Sequence, residues 1–328
     1  MVSPAPSQPD SGDGTDEPGP PRGHARLSKP LILLLIGVNV LWGGSSVAAK
    51  IALTHFPPMT LAFTRFGSAA VLLYGLATAL RTDLRVHRRD WGLFWAMGGL
   101  GLALTYLLYY AGVRYTTAAD AALLTAAEPA FLAALSVVIL RERMPSGKVA
   151  GIAFGLLGVG LIVWRGGHAR YGGAASGDLL IALGLVFEAL AVIVGKRLVS
   201  RYPAVTVITY QMLTGAIILA PFAAAEIWHT GWYPTFEASS VPAYLSVLYL
   251  ILFCTVVAYT VWFTLLDRHE ASSLSVFLFV QPVVGALLGM VIQHDPLTRT
   301  TLAGAASVLV GIALINRRPP NRTYLTPT

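Results

Sequence analysis

Three ionisable side chains fall inside long apolar stretches of the chain, where a charge is costly to bury. Glu128 and Glu188 lie in two different stretches, and Arg65 lies in a third. An ionised group within a membrane-spanning helix costs roughly 2.5–3.5 kcal/mol on insertion scales, so each is a functional candidate. Two carboxylates at similar depth could bind an ammonium group or take up a coupling proton. The alternative is a structural role beside polar neighbours.

The neighbourhood of Glu128 strengthens its candidacy. Pro129 has no N–H to donate, which leaves the carbonyl oxygen of Thr125 free beside the carboxylate. Such a kink suits a polar ligand or a proton. Arg65 could hold a substrate carboxylate bidentately or pair with Glu128. Pairing with an acid is the favoured interpretation, because an unpaired buried charge is costly.

Polar residues also recur at helical spacing along two apolar stretches. A polar stripe on a membrane helix must face protein or water, so both stripes are expected to line a cavity. Lys50 and Asp120 lie about one turn from the outer ends of their helices and are expected to form an outer gate or a structural pair. For Lys50, an interfacial position at the lipid headgroups is an equal alternative. The stripes are Asn39, Trp42, Gly43, Ser46 and Lys50, and Thr117, Asp120, Leu124 and Glu128.

The composition explains what must position these residues. Of 328 residues, 55% are hydrophobic and 12% are charged, against about 25% charged in soluble proteins. So few charges cannot cover a water-soluble fold of this size, so the implied solvent is lipid. The net charge of +7 is clustered between apolar runs and serves as membrane anchors, which argues against a nucleic-acid partner. The single cysteine, Cys254, excludes a disulfide framework and a Cys-based metal site.

Apolar runs of about twenty residues, the length of a membrane-spanning helix, predict an all-α integral membrane protein with ten spans. A first set of five fills residues 31–164, a Gly-rich linker covers 165–177, and a second set fills 178–316. Residues 1–30 and 317–328 are expected to be tails, the first of them disordered. The spans lie near 31–53, 58–80, 91–113, 117–140, 146–164, 178–198, 203–225, 242–266, 271–292 and 298–316.

Positive charge sets the expected orientation. With the N-terminus in the cytoplasm, 17 of the 23 Lys and Arg residues fall on the cytoplasmic side and five fall outside, with Arg65 inside a span. The positive-inside rule therefore predicts a multi-pass protein of the inner or plasma membrane with both termini cytoplasmic.

The two sets of spans align with each other. Glu128-Pro129 matches Gln281-Pro282 at a period of 153, and Phe56-Pro57 matches Tyr202-Pro203 at a period of 146. Five helices per half is an odd number, so the second half must be inverted in the membrane. Inverted repeats around a midplane site are typical of secondary transporters.

The same alignment places Gln211 opposite Arg65 and Gln281 opposite Glu128, which makes the expected central cavity electrostatically asymmetric. Aromatic residues that could line it are Tyr106, Tyr110, Tyr210, Tyr259 and Trp262, although a large bundle also needs such residues for packing. The candidate substrate-binding residues are Asn39, Trp42, Arg65, Tyr106, Glu128, Glu188, Gln211, Tyr259 and Gln281, with Glu128 and Glu188 also candidates for proton coupling.

Several short motifs resemble the EamA family of the drug/metabolite transporter superfamily: Trp42-Gly43-Gly44 with Lys50, Arg65-Phe66 after Pro58, Tyr115-Thr116-Thr117-Ala118-Ala119, Glu128-Pro129, Leu140-Arg141-Glu142-Arg143, and the Gly151 to Gly160 helix. The resemblance covers residues 31–316. It implies a ten-helix exporter of amino acids, related metabolites or toxic compounds, working by alternating access. The central cavity would be lined by the first four helices of each half, with the fifth and tenth helices at the periphery.

Other function classes find less support. A membrane-embedded enzyme or flippase acting on lipid-linked substrates would need a catalytic constellation near one interface, and only Lys50 with Asp120 comes close. A sensor or scaffold should carry a soluble domain. No nucleotide-binding motif, metal-ligand spacing or cofactor motif is present in the sequence. The spacings Gly151-x-x-x-Gly155 and Gly285-x-x-x-Gly289 predict close helix packing, within the bundle or at a homodimer face.

Overall fold

The computed structural model describes residues 29–140, 146–166, 174–199, 201–235, 237–268, 277–278 and 280–315. Every regular element within those ranges is helical, which confirms the expected all-α class there. The expected tails 1–30 and 317–328 lie outside the described residues, except that Lys29 and Pro30 begin the first helix.

Residues 29–166 contain eight α-helices in their described part. A 3-10 turn at Arg88–Asp90 precedes α4, and a π-helical segment at Gly99–Leu104 joins α4 to α5 without a break. The helices are α1 Lys29–Gly43, α2 Ser45–Ala52, α3 Pro58–Ala79, α4 Trp91–Gly98, α5 Thr105–Tyr115, α6 Ala118–Thr125, α7 Glu128–Leu140 and α8 Ser146–Gly166.

The described residues from 174 onward repeat much of this order. A 3-10 turn at Ala238–Ser240 precedes α11, and a π-helical segment at Leu250–Val257 joins α11 to α12. The helices are α9 Ala174–Val199, α10 Ala204–Thr230, α11 Val241–Tyr249, α12 Ala258–Arg268, α13 Val280–Gln293 and α14 Arg299–Ile315.

Six helical stretches of 21 to 28 residues within the described ranges are long and apolar enough to cross a membrane. Large apolar side chains cover the outside of the bundle, including Val71, Val138 and Val291, which are 73%, 75% and 72% exposed. A surface of this kind is stable against lipid and unfavourable against water.

Two expected boundaries differ from the structure. The linker was expected at 165–177, but α8 continues to Gly166 and α9 already begins at Ala174. The small residues 174–177 adopt a helix although they are not apolar enough to mark a span. The seventh span was expected to end at 225, whereas α10 continues to Thr230 and ends before Gly231, whose φ of 62° is left-handed. Part of the expected ninth span, 271–276 and 279, lies outside the described residues.

Two of the apolar stretches are interrupted in the middle. α1 and α2 are separated at Gly44, and α6 and α7 are separated by the turn at residues 126–127, just before Pro129. The missing N–H of Pro129 accounts for the second interruption, as the sequence predicts. Interruptions of this kind expose backbone groups and are tolerated at membrane depth only where they face protein or a cavity.

The two π-helical segments carry the same local hydrogen bond. Thr105 Oγ1 donates to the carbonyl oxygen of Leu100, and Thr255 Oγ1 donates to that of Leu250, each at 2.8 Å and each five residues back along the chain. In the first segment the backbone N–H of Thr105 also donates to the carbonyl oxygen of Leu100, so the hydroxyl is a second donor to that oxygen. Single π-helical turns of this kind are frequent at functional sites.

α8 and α14 pack through glycines whose backbones almost touch. A Cβ atom on Gly158 would lie 2.5 Å from the carbonyl oxygen of Gly304, and one on Gly311 would lie 2.5 Å from that of Gly151. Gly285 likewise faces the Cβ of Ala122. These small-residue positions therefore serve packing inside the bundle.

One end of the bundle is held by a polar contact that we call the polar junction, formed by Asp90, Arg201 and Tyr202. Arg201 Nη1 lies 3.0 Å from Asp90 Oδ1, and the Tyr202 hydroxyl donates to Asp90 Oδ2 at 2.7 Å. The backbone N–H of His87 donates to the same hydroxyl at 3.1 Å. The junction joins the segment before α4 to the residues that lead into α10.

The opposite end is held by rings, in what we call the aromatic junction, formed by His55, Phe56, Trp232 and Tyr244. The ring of Phe56 lies 5.2 Å from that of Trp232 and 5.1 Å from that of Tyr244, centroid to centroid. Trp232 Nε1 donates to the carbonyl oxygen of His55 at 2.7 Å. This junction joins the segment before α3 to the residues that lead into α11.

Candidate functional site

A cavity of about 320 Å³ lies between the helices. This volume is at the lower end of the roughly 300–1,000 Å³ range of small-molecule sites. Eight of the nine candidate substrate-binding residues line it, and no described residue of α8 or α14 does. The eight are Trp42, Arg65, Tyr106, Glu128, Glu188, Gln211, Tyr259 and Gln281.

The two carboxylates reach the cavity from different helices. Glu128 is the first residue of α7, directly after the interruption that follows α6, and Glu188 lies in the middle of α9. The N-terminal end of a helix favours a negative charge, so α7 itself stabilises the carboxylate of Glu128. The two groups are close enough for their charges to interact, and no described residue donates a hydrogen bond to either. Both carboxylates are therefore open to a ligand or a proton.

Arg65 is 3% exposed and also borders the cavity. Its Nη1 donates to the hydroxyl of Tyr110 at 2.8 Å and its Nε donates to Thr255 Oγ1 at 3.0 Å. The guanidinium carbon lies 4.8 Å from the ring centre of Phe66 and 5.1 Å from that of Tyr106.

The sequence predicts an ion pair between Arg65 and an acid, but the structure places hydroxyls and rings around the guanidinium instead. Among the described residues, no carboxylate lies within 4.0 Å of the guanidinium. Two neutral hydroxyls and the faces of two rings hold it instead, and such cation–π contacts strengthen where water is excluded.

Trp42 is fixed at the cavity wall by a hydrogen bond from its indole to a backbone carbonyl. Its Nε1 donates to the carbonyl oxygen of Cys254 at 2.8 Å, and its ring packs edge-on against Tyr259 at 5.4 Å and Trp262 at 5.5 Å. The glycines that follow explain the Trp-Gly-Gly motif. A Cβ on Gly43 would lie 2.9 Å from the carbonyl oxygen of Gln281, and one on Gly44 would lie 2.6 Å from the Tyr249 hydroxyl.

Asn39 is the candidate that does not line the cavity. It is fully buried, donates to the carbonyl oxygen of Leu35 at 2.7 Å, and accepts a hydrogen bond from Gln281 Nε2 at 2.9 Å. Asn39 therefore orients the amide of Gln281, which does reach the cavity.

Ser46 has a buried hydroxyl without a partner among the described residues. It is 2% exposed and borders the cavity. A buried hydroxyl without a hydrogen bond costs about 1–3 kcal/mol, so a ligand that bonds to it recovers that free energy.

Several residues of the site were missed in the sequence. Phe66, Tyr109 and Thr105 line the cavity, and Thr255 positions Arg65. On a helix that is apolar all round, the spacing of residues gives no contrast between faces, so the pattern did not mark these four as site residues, although Phe66 belongs to the Arg65-Phe66 motif. Of the other aromatic candidates, Tyr110 supports Arg65 from outside the lining, and Tyr210 donates to the carbonyl oxygen of Leu84 at 2.9 Å.

The expected gate residues lie away from the cavity lining. The ammonium of Lys50 donates to the carbonyl oxygens of Val113, at 2.8 Å, and of Thr116, where α5 ends. Asp120 accepts from the Thr117 hydroxyl at 2.8 Å and lies 3.4 Å from that of Thr301. Lys50 thus ties α2 to the end of α5, and Asp120 belongs to the start of α6.

Together, the bundle and its cavity define a membrane protein that accommodates a small molecule between its helices. In the part of the chain that the structure describes, no group of three or more His, Cys, Asp or Glu side chains could hold a metal ion. The polar groups of the cavity are two carboxylates, a guanidinium, two amides and several hydroxyls. Such groups can bind and orient a ligand, and the carboxylates can exchange protons.

The sequence profile of the EamA-like transporter family matches the chain twice, over residues 29–164 and over residues 175–317. The chain belongs to this family, which confirms the resemblance seen in its motifs. It is a multi-pass membrane transporter and not an enzyme.

Curated relatives agree in length as well as in sequence. An uncharacterized transporter of Archaeoglobus fulgidus is 30% identical over 290 residues, which cover 88% of this chain and 99% of the relative. A probable terminal-alkyne amino-acid exporter of Streptantibioticus cattleyicolor is 29% identical, over 90% of this chain and 96% of the relative. A probable amino-acid metabolite efflux pump of Salmonella typhimurium is 26% identical, over 85% and 92%.

A solved crystal structure shares the fold. Its TM-score is 0.60 at 22% sequence identity, and the match covers 86% of this chain and 96% of the other.

Proposed function

We propose that this protein is a secondary transporter that exports amino acids or related small metabolites across the inner or plasma membrane by alternating access. The observation that carries the proposal is the cavity, in which Glu128 and Glu188 face a ligand-sized space without a hydrogen-bond donor from the described protein. The names of the two exporter relatives support the substrate class.

The transporter is built from ten spans in two inverted halves, with both termini in the cytoplasm. The double match of one family profile supports this duplication. So do the two series of 3-10 turn, α-helix, π-helical segment and α-helix, each with a threonine bonded five residues back. The excess of Lys and Arg on one side supports the orientation. The polar junction then lies at the cytoplasmic end and the aromatic junction at the outer end.

Glu128 and Glu188 serve substrate binding and proton coupling in this proposal. A carboxylate that binds a proton on one side of the membrane and a substrate on the other couples the two fluxes. Lys50 and Asp120 support the outer ends of α2, α5 and α6, where an outer gate would act.

The test is transport by purified protein in proteoliposomes. Uptake and exchange of a panel of amino acids and amines are measured with and without an imposed pH gradient, for the wild type and for Glu128→Gln and Glu188→Gln. Glu237→Gln is the matched control, because Glu237 is an exposed loop residue that does not line the cavity.

The proposal expects selective flux that responds to the gradient, is lost in the two cavity variants and is unchanged in the control. Flux that ignores the gradient would remove proton coupling. Normal flux in both cavity variants would remove the carboxylate mechanism. The absence of flux for every panel member would overturn the substrate class.

A further inference from the structure

The charges that border the cavity do not balance. Two carboxylates, Glu128 and Glu188, face one guanidinium, Arg65, which leaves one net negative charge when all three are ionised. A net charge in a water-poor site is costly until a counter-charge arrives. A single positive charge completes this balance, and either a proton on one carboxylate or a cationic ligand supplies it.

Arg65 is poorly placed to hold a substrate carboxylate. A carboxylate can bind a guanidinium bidentately through Nε and Nη2 or through Nη1 and Nη2. Each of these two edges therefore includes either Nε or Nη1. In the structure Nε already donates to Thr255 and Nη1 already donates to Tyr110. The rings of Phe66 and Tyr106 lie against the same group. The protein thus commits Nε and one hydrogen of Nη1, so a carboxylate must compete with Thr255 or Tyr110 at these atoms.

The wall formed by Trp42, Tyr259 and Trp262 suits a cation with an apolar body. The Nε1 donor of Trp42 is used by the carbonyl oxygen of Cys254, so this indole offers a substrate its ring and no hydrogen bond. Indole faces are the best cation–π acceptors among side chains. The three rings and both carboxylates border the same cavity.

We propose that the cavity takes a small organic monocation, an amine on an apolar or aromatic body, and that a substrate carboxylate contributes nothing to its binding. The charged nitrogen lies between Glu128 and Glu188, and the body lies against Trp42, Tyr259 and Trp262. The buried hydroxyl of Ser46 is available to an N–H of the substrate. This inference rests on the proposed function and, among amino acids and related metabolites, favours amines that lack the carboxylate; it concerns binding alone.

The test compares two probes that differ only in a carboxylate, 2-phenylethylamine and L-phenylalanine. Their affinities for the purified full-length protein in detergent are measured by titration calorimetry. The expected result is that the amine binds at least about tenfold more tightly, since the amino acid brings a negative charge beside two carboxylates. Equal or tighter binding of L-phenylalanine overturns the inference.

Two sets of variants locate the cation. Glu128→Gln and Glu188→Gln are each expected to weaken amine binding by about tenfold or more, and Glu237→Gln to leave it unchanged. Trp42→Phe is expected to weaken it several-fold, while Trp228→Phe, at a residue 85% exposed, is not. Amine binding that neither Gln variant weakens overturns the inference.

A measurement on the wild type alone covers the case in which a variant does not fold. Uncharged 2-phenylethanol, which has the same body without the cation, is expected not to compete with 2-phenylethylamine, and effective competition overturns the inference.

The proposed function and this inference can fail independently of each other. Amine binding without flux of any panel member refutes transport and keeps the inference, whereas flux of amino acids without amine binding does the reverse.

Discussion

The polar and aromatic junctions close opposite ends of one bundle with different chemistry. Phe56-Pro57 and Tyr202-Pro203 are equivalent in the proposed repeat, and each aromatic ring lies just before a helix that starts near a proline. The Tyr202 hydroxyl is bound to Asp90, whereas Phe56 has no hydroxyl and packs on Trp232 and Tyr244.

If the two halves are the proposed repeat, the difference shows how such a scaffold can specialise its two ends. The polar junction depends on directed hydrogen bonds and on an ion pair whose Arg201 side chain is 50% exposed, so salt and water compete with it. The aromatic junction depends on the burial of rings, which salt does not weaken. In the proposed transport cycle, the two closures therefore respond differently to conditions on the two sides of the membrane.

Removal of the central ring of the aromatic junction should have the largest effect. Phe56 is 5% exposed, and Phe56→Ala is expected to lower the free energy of unfolding by about 3–5 kcal/mol through the cavity it leaves. Denaturant unfolding in detergent measures the change. Trp228→Ala, which removes a ring that is 85% exposed, is the control and should change little. Equal losses of unfolding free energy in both variants would show that the aromatic junction adds no specific stability.

Removal of the Asp90 carboxylate from the polar junction should have the second-largest effect on stability. Asp90→Ala removes the acceptor for both Arg201 and Tyr202, so the Tyr202 hydroxyl keeps the N–H of His87 as a donor but loses the acceptor for its own hydrogen. We expect the melting temperature to fall by several degrees. Asp83→Ala is the matched control, since the Asp83 carboxylate accepts only an exposed local hydrogen bond from the Arg85 N–H. A melting temperature as high as that of the control would contradict the assignment.

Exchange of the two aromatic residues sharpens the comparison. Tyr202→Phe makes the polar junction resemble the aromatic one and should lower the melting temperature by about 2–5 °C, because Asp90 loses a donor. Phe56→Tyr makes the opposite change and introduces a hydroxyl beside the rings of Trp232 and Tyr244. It should therefore destabilise as well. Stabilisation by either exchange would show that the ends are not specialised.

The ion pair alone should have the smallest effect. Arg201→Ala is expected to lower the melting temperature by no more than about 2 °C, because a half-exposed pair is worth little. The difference from wild type should disappear near 1 M salt, where charges are screened within a few ångströms. The effect of Phe56→Ala should persist in the same buffer, which separates the two kinds of junction.

Much of the fold was predictable, since runs of about twenty apolar residues specify helices that lipid must surround. The residues at which individual helices begin and end were less predictable. The small residues 174–177 and the polar end of α10 are helical without being apolar, so hydropathy alone placed these boundaries several residues away.

The cavity lining was predictable where a charge or an amide interrupted an apolar helix, as at Arg65, Glu128 and Glu188. It was not predictable where aromatic or hydroxyl residues lay on uniformly apolar helices, as at Tyr109 and Thr255. The partners of Arg65 show the same limit. They lie 45 and 190 residues away in sequence, and only the packing of three helices brings them together.

The glycine contacts between α8 and α14 have a consequence for the symmetry of the proposed repeat. Gly158 meets Gly304 and Gly311 meets Gly151, and a shift of 153 residues converts one contact into the other. Two contacts that are exchanged by the repeat in this way form an interface of the kind that joins two identical subunits about a twofold axis. In the proposed inverted repeat, a half-length subunit would therefore pair with its own copy through the contact that now joins α8 to α14 within one chain.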